Sequence, residues 1–212
     1  AHAGRGSRMT GFETIRSVAA YLPEDNVDTD VIFPARFLLL MDRDGLGRYL
    51  FHDRRFDADG TPRTDFALDA PGLDRARILI AGDGFGCGSS REQAVWALVG
   101  AGFGCVIAPG FGEIFAANCV KNGLLTITLP REQVSALGAR ATAGATFEVD
   151  LEQRMLRVDG DVVASIDIAE ADRKMLLNGW DETDVVLRED GAAIETFETR
   201  HQAAQPWLFQ DR

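Results

Sequence analysis

The sequence predicts an α/β fold built on a parallel sheet, and three observations carry that prediction. Short apolar runs alternate with amphipathic stretches between residues 76 and 129, the alternation that places helices between parallel strands. A glycine-dense loop, Gly82 to Gly88, separates the first run from the first amphipathic stretch. Further on, residues 146–166 switch to a two-residue alternation around a turn, which adds antiparallel strands and makes the predicted sheet mixed.

Taken in order, residues 1–8 (Ala-His-Ala-Gly-Arg-Gly-Ser-Arg) lack the apolar centre of a signal peptide. They read as a remnant of expression, with Met9 as the expected native start and 9–212 as a single domain. Asp25-Asn26-Val27-Asp28-Thr29-Asp30 is a polar turn, followed by Val31-Ile32-Phe33, Pro34 and the apolar run Phe37-Leu38-Leu39-Leu40-Met41. Residues 42–75 are rich in Asp, Arg and Gly without clean periodicity. A stretch of that length inside a compact domain is expected to be a lid or an interface.

The core reads as β-α-β-α-β: strand Arg77–Ala81, helix from Ser90 to about Val99, strand Cys105–Ala108, helix from about Gly112 to Lys121, and strand Leu124–Leu129. Asn122-Gly123 marks the stop of the second helix. Alternation over Thr146–Leu151 and Met155–Val158, the turn Asp159-Gly160, and Val162–Ile166 give the hairpin. Ile168–Asn178 reads as a helix closed by Gly179, and Ala192–Gln205 as a terminal helix ahead of Pro206-Trp207.

Ligands of such sheets sit beyond the carboxyl ends of the strands, where the glycine loop falls. Its sequence, Gly82-Asp-Gly-Phe-Gly-Cys-Gly-Ser-Ser-Arg-Glu92, brings backbone able to take positive φ, two hydroxyls and a guanidinium to a helix start. Unpaired N–H groups there favour an anion, and Arg91 supplies a planar fork for a carboxylate. Ser89-Ser90-Arg91-Glu92 also fits a capping box, with Ser89 as N-cap and Glu92 reaching back from the third helical position. The two readings are compatible, because the field that caps a helix also stabilises a negatively charged serine oxygen.

Several chemistries are disfavoured. The dinucleotide pattern G-x-G-x-x-G fails in each register of the loop, where its last position falls on Cys87, Ser89 or Arg91, and no Gly-Lys pair makes a phosphate loop. A Cys87 nucleophile would need a histidine base, and the histidines are His2, His52 and His201. Cys87, Cys105 and Cys119, spaced by eighteen and fourteen residues, match neither a zinc ribbon nor a disulfide framework and fit a reducing compartment. A net charge of −11 argues against nucleic acid or an anionic membrane as partner. No apolar run approaches the roughly twenty residues of a membrane span, so a cytoplasmic location is expected.

Asn26-Val27-Asp28-Thr29-Asp30 with Ile32 to Leu38, Phe85-Gly86-Cys87-Gly88-Ser89-Ser90-Arg91-Glu92, Val106–Phe115 with Asn118, and Asn122–Leu125 together resemble the small subunits of 3-isopropylmalate dehydratase, swivel-domain relatives of aconitase. The resemblance runs from Phe12 to Phe209. It implies a three-layer β/β/α swivelling domain, like the fourth domain of aconitase. It also implies a heteromeric hydro-lyase, active only with a large subunit that carries the [4Fe–4S] cluster, with no cofactor or metal in this chain. Ser89 would be the base that takes a proton from carbon, Arg91 would hold a substrate carboxylate, and Ser90 and Gly88 would support the same ligand. Asp28, Thr29 and Asp30 would order the entry loop.

The implied reaction is dehydration and rehydration of 2-isopropylmalate to 3-isopropylmalate, in leucine biosynthesis. Relatives that accept an extra carboxylate carry arginine at the position of Leu39, so the apolar Leu39 points to a branched alkyl group on a hydroxy-dicarboxylate. Gln93 stands where the family usually has histidine, and only histidine titrates near neutrality. Two alternatives stay open: the same chemistry on citramalate or dimethylmalate, and a non-catalytic module that binds an anion.

Overall fold

The computed structural model describes residues 10–39, 43, 45–88 and 91–209. Two four-stranded sheets form its centre. The first is parallel, in the order β2 (Ala19–Leu22), β3 (Ile78–Ala81), β4 (Cys105–Ala108), β5 (Leu125–Thr128). The second is antiparallel, in the order β1 (Ile15–Ser17), β6 (Phe147–Asp150), β7 (Met155–Val158), β8 (Asp161–Ser165).

β3 and β4 are apolar at every position because they are covered on both faces, as parallel strands are. Leu79, Ala81, Val106 and Ala108 point into one core with Ala20 and Leu22, against α3 (Glu92–Gly100) and α4 (Glu113–Lys121). Ile78, Ile80, Cys105 and Ile107 point into a second core. There they meet Ile15, Phe147, Val149, Leu156 and Val158 of the antiparallel sheet, and Val134, Leu137 and Ala141 of α5 (Arg131–Thr142). The layering is helix, parallel sheet, antiparallel sheet, which is the three-layer β/β/α arrangement. The mixture of pairings expected from the sequence is divided between two stacked sheets, because β1 pairs with β6 and draws the hairpin off the edge of the parallel sheet.

α1 (Thr29–Ile32) and α2 (His52–Arg55) pack on the helical side. The 42–75 excursion sends Leu46, Leu50 and Phe51 into the first core and lays Phe66, Leu68 and Leu73 against it. The chain ends in α6 (Glu170–Asn178), α7 (Glu182–Glu189), α8 (Gly191–Ala204) and a 3-10 turn at Pro206–Leu208. β1, β2, α5 and α7 are additional to the elements expected from the sequence.

Candidate active site

The loops that leave β2, β3 and β4 at their carboxyl ends are joined backbone to backbone. The Gly82 N–H donates to the Leu22 carbonyl (3.1 Å), the Asn26 N–H to Asp83 (2.7 Å), the Gly86 N–H to Val27 (2.8 Å) and the Thr29 N–H to Cys87 (3.1 Å). On the other side the Phe85 N–H donates to Gly110 (3.1 Å) and the Gly112 N–H to Phe85 (3.0 Å). Two isolated bridges, Asp28 with Cys87 and Phe85 with Phe111, continue the parallel pairing past the strands. The glycine loop is therefore the middle strand of a narrow extension of the sheet.

That geometry explains the glycines. Gly86 has φ +73°, and a Cβ there would lie 2.2 Å from Cγ of the buried Phe115 ring. Gly88 has φ +87° and is exposed, with the Asp28 side chain directly beside it. Ser89 and Ser90 lie outside the described residues, so the positions flanking them, Gly88 and Arg91, define the site.

Arg91 is the N-cap residue of α3, in extended conformation, and its guanidinium is one-fifth exposed. Nη1 donates to Oδ1 of Asp30, the one carboxylate paired with Arg91 among the described residues. The sequence expectation of a capping box differs from what is found: α3 starts at Glu92, which puts Glu92 at the first helical position. Its carboxylate accepts from Asn122 Nδ2 at 2.9 Å.

Asp28 caps α1, accepting the Val31 N–H at 2.9 Å, and Thr29 is fully buried at the start of that helix. Asp28, Thr29 and Asp30 thus lie together on the loop that pairs with the glycine loop. Leu39 lies apart from them, just past a 3-10 turn at Ala35–Phe37, and is 89 % exposed. Leu38 packs against the first core, and Leu40 is outside the described residues. The turn is braced by the excursion. Arg36 Nη1 donates to Asp53 Oδ2 (2.8 Å), and the Phe37 ring lies 4.3 Å from Tyr49 and 4.9 Å from His52.

Two groups of residues escaped the sequence reading. Arg131, at the start of α5, binds Asp25 (3.0 Å) and Asp83 (3.2 Å), tying the β2 and β3 loops together. The Asp83 N–H and then the Arg131 guanidinium hold the Asp25 carboxyl below its usual range. Asn122, read from the sequence as a helix stop and as part of a family-matching segment without a role of its own, bonds Glu92 and also Trp96 (3.0 Å). Neither could be inferred without knowing which loops are adjacent.

Among the described residues no group of three His, Cys, Asp or Glu side chains could hold a metal ion. Cys105 and Cys119 are fully buried on opposite faces of the parallel sheet, and burial pushes both thiols far up, away from the thiolate a cluster needs. Cys105 and Cys119 are therefore poor candidates for cluster ligands.

A family profile described as the aconitase C-terminal domain matches residues 9–132, and one described as the C-terminal domain of the 3-isopropylmalate dehydratase small subunit matches residues 189–211. The 3-isopropylmalate dehydratase small subunit of Rhodospirillum centenum is 48% identical over 202 residues, covering 94% of this chain and 98% of that one. The small subunit of the same name from Gluconacetobacter diazotrophicus is 46% identical, covering 94% and 97%. In structure the chain is similar to a 3-isopropylmalate dehydratase of Methanocaldococcus jannaschii, with a TM-score of 0.65 and 24% identity over 86% of this chain and 99% of that one, a likeness of fold. The chain belongs to the 3-isopropylmalate dehydratase small-subunit family, and its body is an aconitase-type swivel domain.

Proposed function

We propose that this chain is the small subunit of a heteromeric hydro-lyase that isomerises 2-isopropylmalate to 3-isopropylmalate in leucine biosynthesis. The observation that carries the reading is the position of Arg91, whose side chain is one-fifth exposed at the start of α3, three residues after Gly88, and pairs with Asp30 of α1. Arg91 holds a substrate carboxylate. Ser89, between Gly88 and Arg91, takes the proton from the carbon next to the hydroxyl-bearing one. Loss of the hydroxyl as water gives the unsaturated acid, and water adds back at the neighbouring carbon. Ser90 and the Gly88 backbone support the same carboxylate, and Leu39 meets the branched alkyl group.

A serine hydroxyl becomes a base only under strong positive potential. In the chain alone Asp30 offsets Arg91, so the site is incomplete without its partner and its substrate. The leaving hydroxyl needs an acceptor outside this chain, and we assign that role to a [4Fe–4S] cluster on the large subunit. Exposed apolar side chains on the last two helices support a need for such a partner. No helix of the described residues is long and apolar enough to cross a membrane, and we place the enzyme in the cytoplasm.

The test is anaerobic reconstitution with the cognate large subunit, following the unsaturated intermediate by ultraviolet absorbance with 2-isopropylmalate and with citramalate in parallel. Turnover of 2-isopropylmalate, lost by at least about a hundredfold in Ser89→Ala, is the expected result. Arg91→Lys keeps the charge but loses the fork, and weakens turnover at low substrate. An active Ser89→Ala complex would remove the base assignment, and turnover of citramalate alone would move the substrate to the branched acids that Gln93 keeps open. Tight binding of a dicarboxylate to the isolated chain, measured by calorimetry, would favour an anion-binding module.

A further inference from the structure

Asn122 ends α4 and is held firmly there. Its N–H donates to the Cys119 carbonyl (3.1 Å), and two residues on the Leu124 N–H donates to the same oxygen (2.9 Å) as the chain turns into β5. From this fixed point the side chain reaches α3. Nδ2 donates to Glu92 Oε1 (2.9 Å) and to the Asn118 carbonyl (2.8 Å), while Oδ1 accepts from Trp96 Nε1 (3.0 Å). Glu92 and Trp96 are four residues apart and share one side of the first two turns. Arg43 closes the group from outside, 4.2 Å above the Trp96 ring and 3.9 Å from Glu92.

We propose that Asn122 is a positioning residue for Arg91, an inference that rests on the reading of Arg91 as the carboxylate clamp. Glu92 directly follows Arg91, and no side chain among the described residues caps α3. The first turn of a helix has free N–H groups and few backbone bonds to hold it, and a small rotation at the base of a long arginine becomes a displacement of about 1 Å at the guanidinium, enough to cost an order of magnitude or more in productive binding. The carboxamide of Asn122 braces this turn from the side. It fixes Glu92 and Trp96 relative to α4, and so fixes the direction in which Arg91 leaves the helix. The Arg43 stack joins the end of the Leu39 segment to the same node.

The experiment uses the complex assembled with the large subunit and 2-isopropylmalate as probe. Asn122→Ala should raise KM about tenfold while kcat changes by less than about threefold, because a misdirected carboxylate clamp weakens ground state and transition state alike. Asn122→Asp sets two carboxylates against each other and should be at least as impaired. Glu92→Ala cuts the same link from the other side and should raise KM by a similar factor, and adding Asn122→Ala to it should raise KM little further. In the chain alone, amide exchange at Ala94 and Val95 should quicken in Asn122→Ala and in Glu92→Ala alike. An unchanged KM in Asn122→Ala, effects of Asn122→Ala and Glu92→Ala that simply add, or unaltered exchange in the first turn of α3 would each overturn the proposal. If the wild-type complex does not turn over 2-isopropylmalate, the functional reading fails, and the exchange result still decides whether Asn122 sets the turn.

Discussion

α3 and α8 are both regular helices, of nine and fourteen residues, and they are held in opposite ways. α3 sinks Ala94, Val95, Ala97 and Leu98 completely into the first core. α8 and its neighbour α7 contain no buried residue. The arm they form relies on local devices: the Asp181 and Asp184 capping box, hydroxyl bonds from Thr196 and Thr199 to carbonyls one turn back, and ion pairs from Lys121 to Glu182 and Lys174 to Glu189. Val186, Leu187, Phe197, Trp207 and Leu208 remain exposed on it. The body spends its apolar surface on its own fold, whereas the arm keeps it available for another surface.

The sharpest way to break this contrast is in the body. Gly86→Ala forces a Cβ into the Phe115 ring at positive φ, and should destabilise the isolated chain by roughly 2–4 kcal/mol, read as a lowered thermal midpoint. A silent substitution would mean that the sheet extension relaxes freely. Replacing Phe197, Trp207 and Leu208 with serine tests the arm. Affinity for the large subunit should fall by at least about tenfold, with the midpoint of the chain alone unchanged; intact assembly would assign the arm to some other surface, and a lowered midpoint would make it part of the fold.

The smallest effect concerns the brace on the Leu39 turn. A hydrogen bond from Arg36 holds the Asp53 carboxyl below its usual range, so its stabilising contribution is complete above the ordinary value of 3.8 and is lost as pH falls through the lower folded value. Both side chains are half exposed, which limits the contribution to about 1 kcal/mol or less. Melting curves of wild type and Asp53→Asn should differ slightly at pH 6 and converge on acidification below 3.8. A gap that is constant with pH would assign the difference to packing.

How much of this was legible depended on where each element spends its side chains. The run from Ile78 to Thr128 was readable because β3 and β4 are apolar on both faces and β5 alternates Leu and Ile with Thr, with amphipathic stretches between them. The hairpin was readable from alternation and Asp159-Gly160. β2 was not, because Ala19-Ala20-Tyr21-Leu22 packs small residues against both cores and shows no period. α5 had a signal that went unused: Val134, Leu137 and Ala141 recur on one face, masked by intervening alanines and by Gly138 under the Tyr21 ring. In the site, Arg91 and Gly88 were legible as residue types, and their setting was not. The partnership of Arg91 with Asp30, sixty-one residues earlier, and the Arg131 tie between two loops depend on strand order alone.

The bridges that carry sheet pairing past β3 have a consequence for how this family can diversify. Loops held on both sides by backbone hydrogen bonds tolerate few changes, so the reactive end behaves as inherited hardware. Leu39 projects from a turn that the Arg36–Asp53 hydrogen bond and the Phe37–Tyr49 ring contact brace at its base. On the proposed reading, in which Leu39 meets the alkyl group and Ser89 takes the proton, substrate range and proton removal sit on separately supported pieces of chain, so that one can change without disturbing the other.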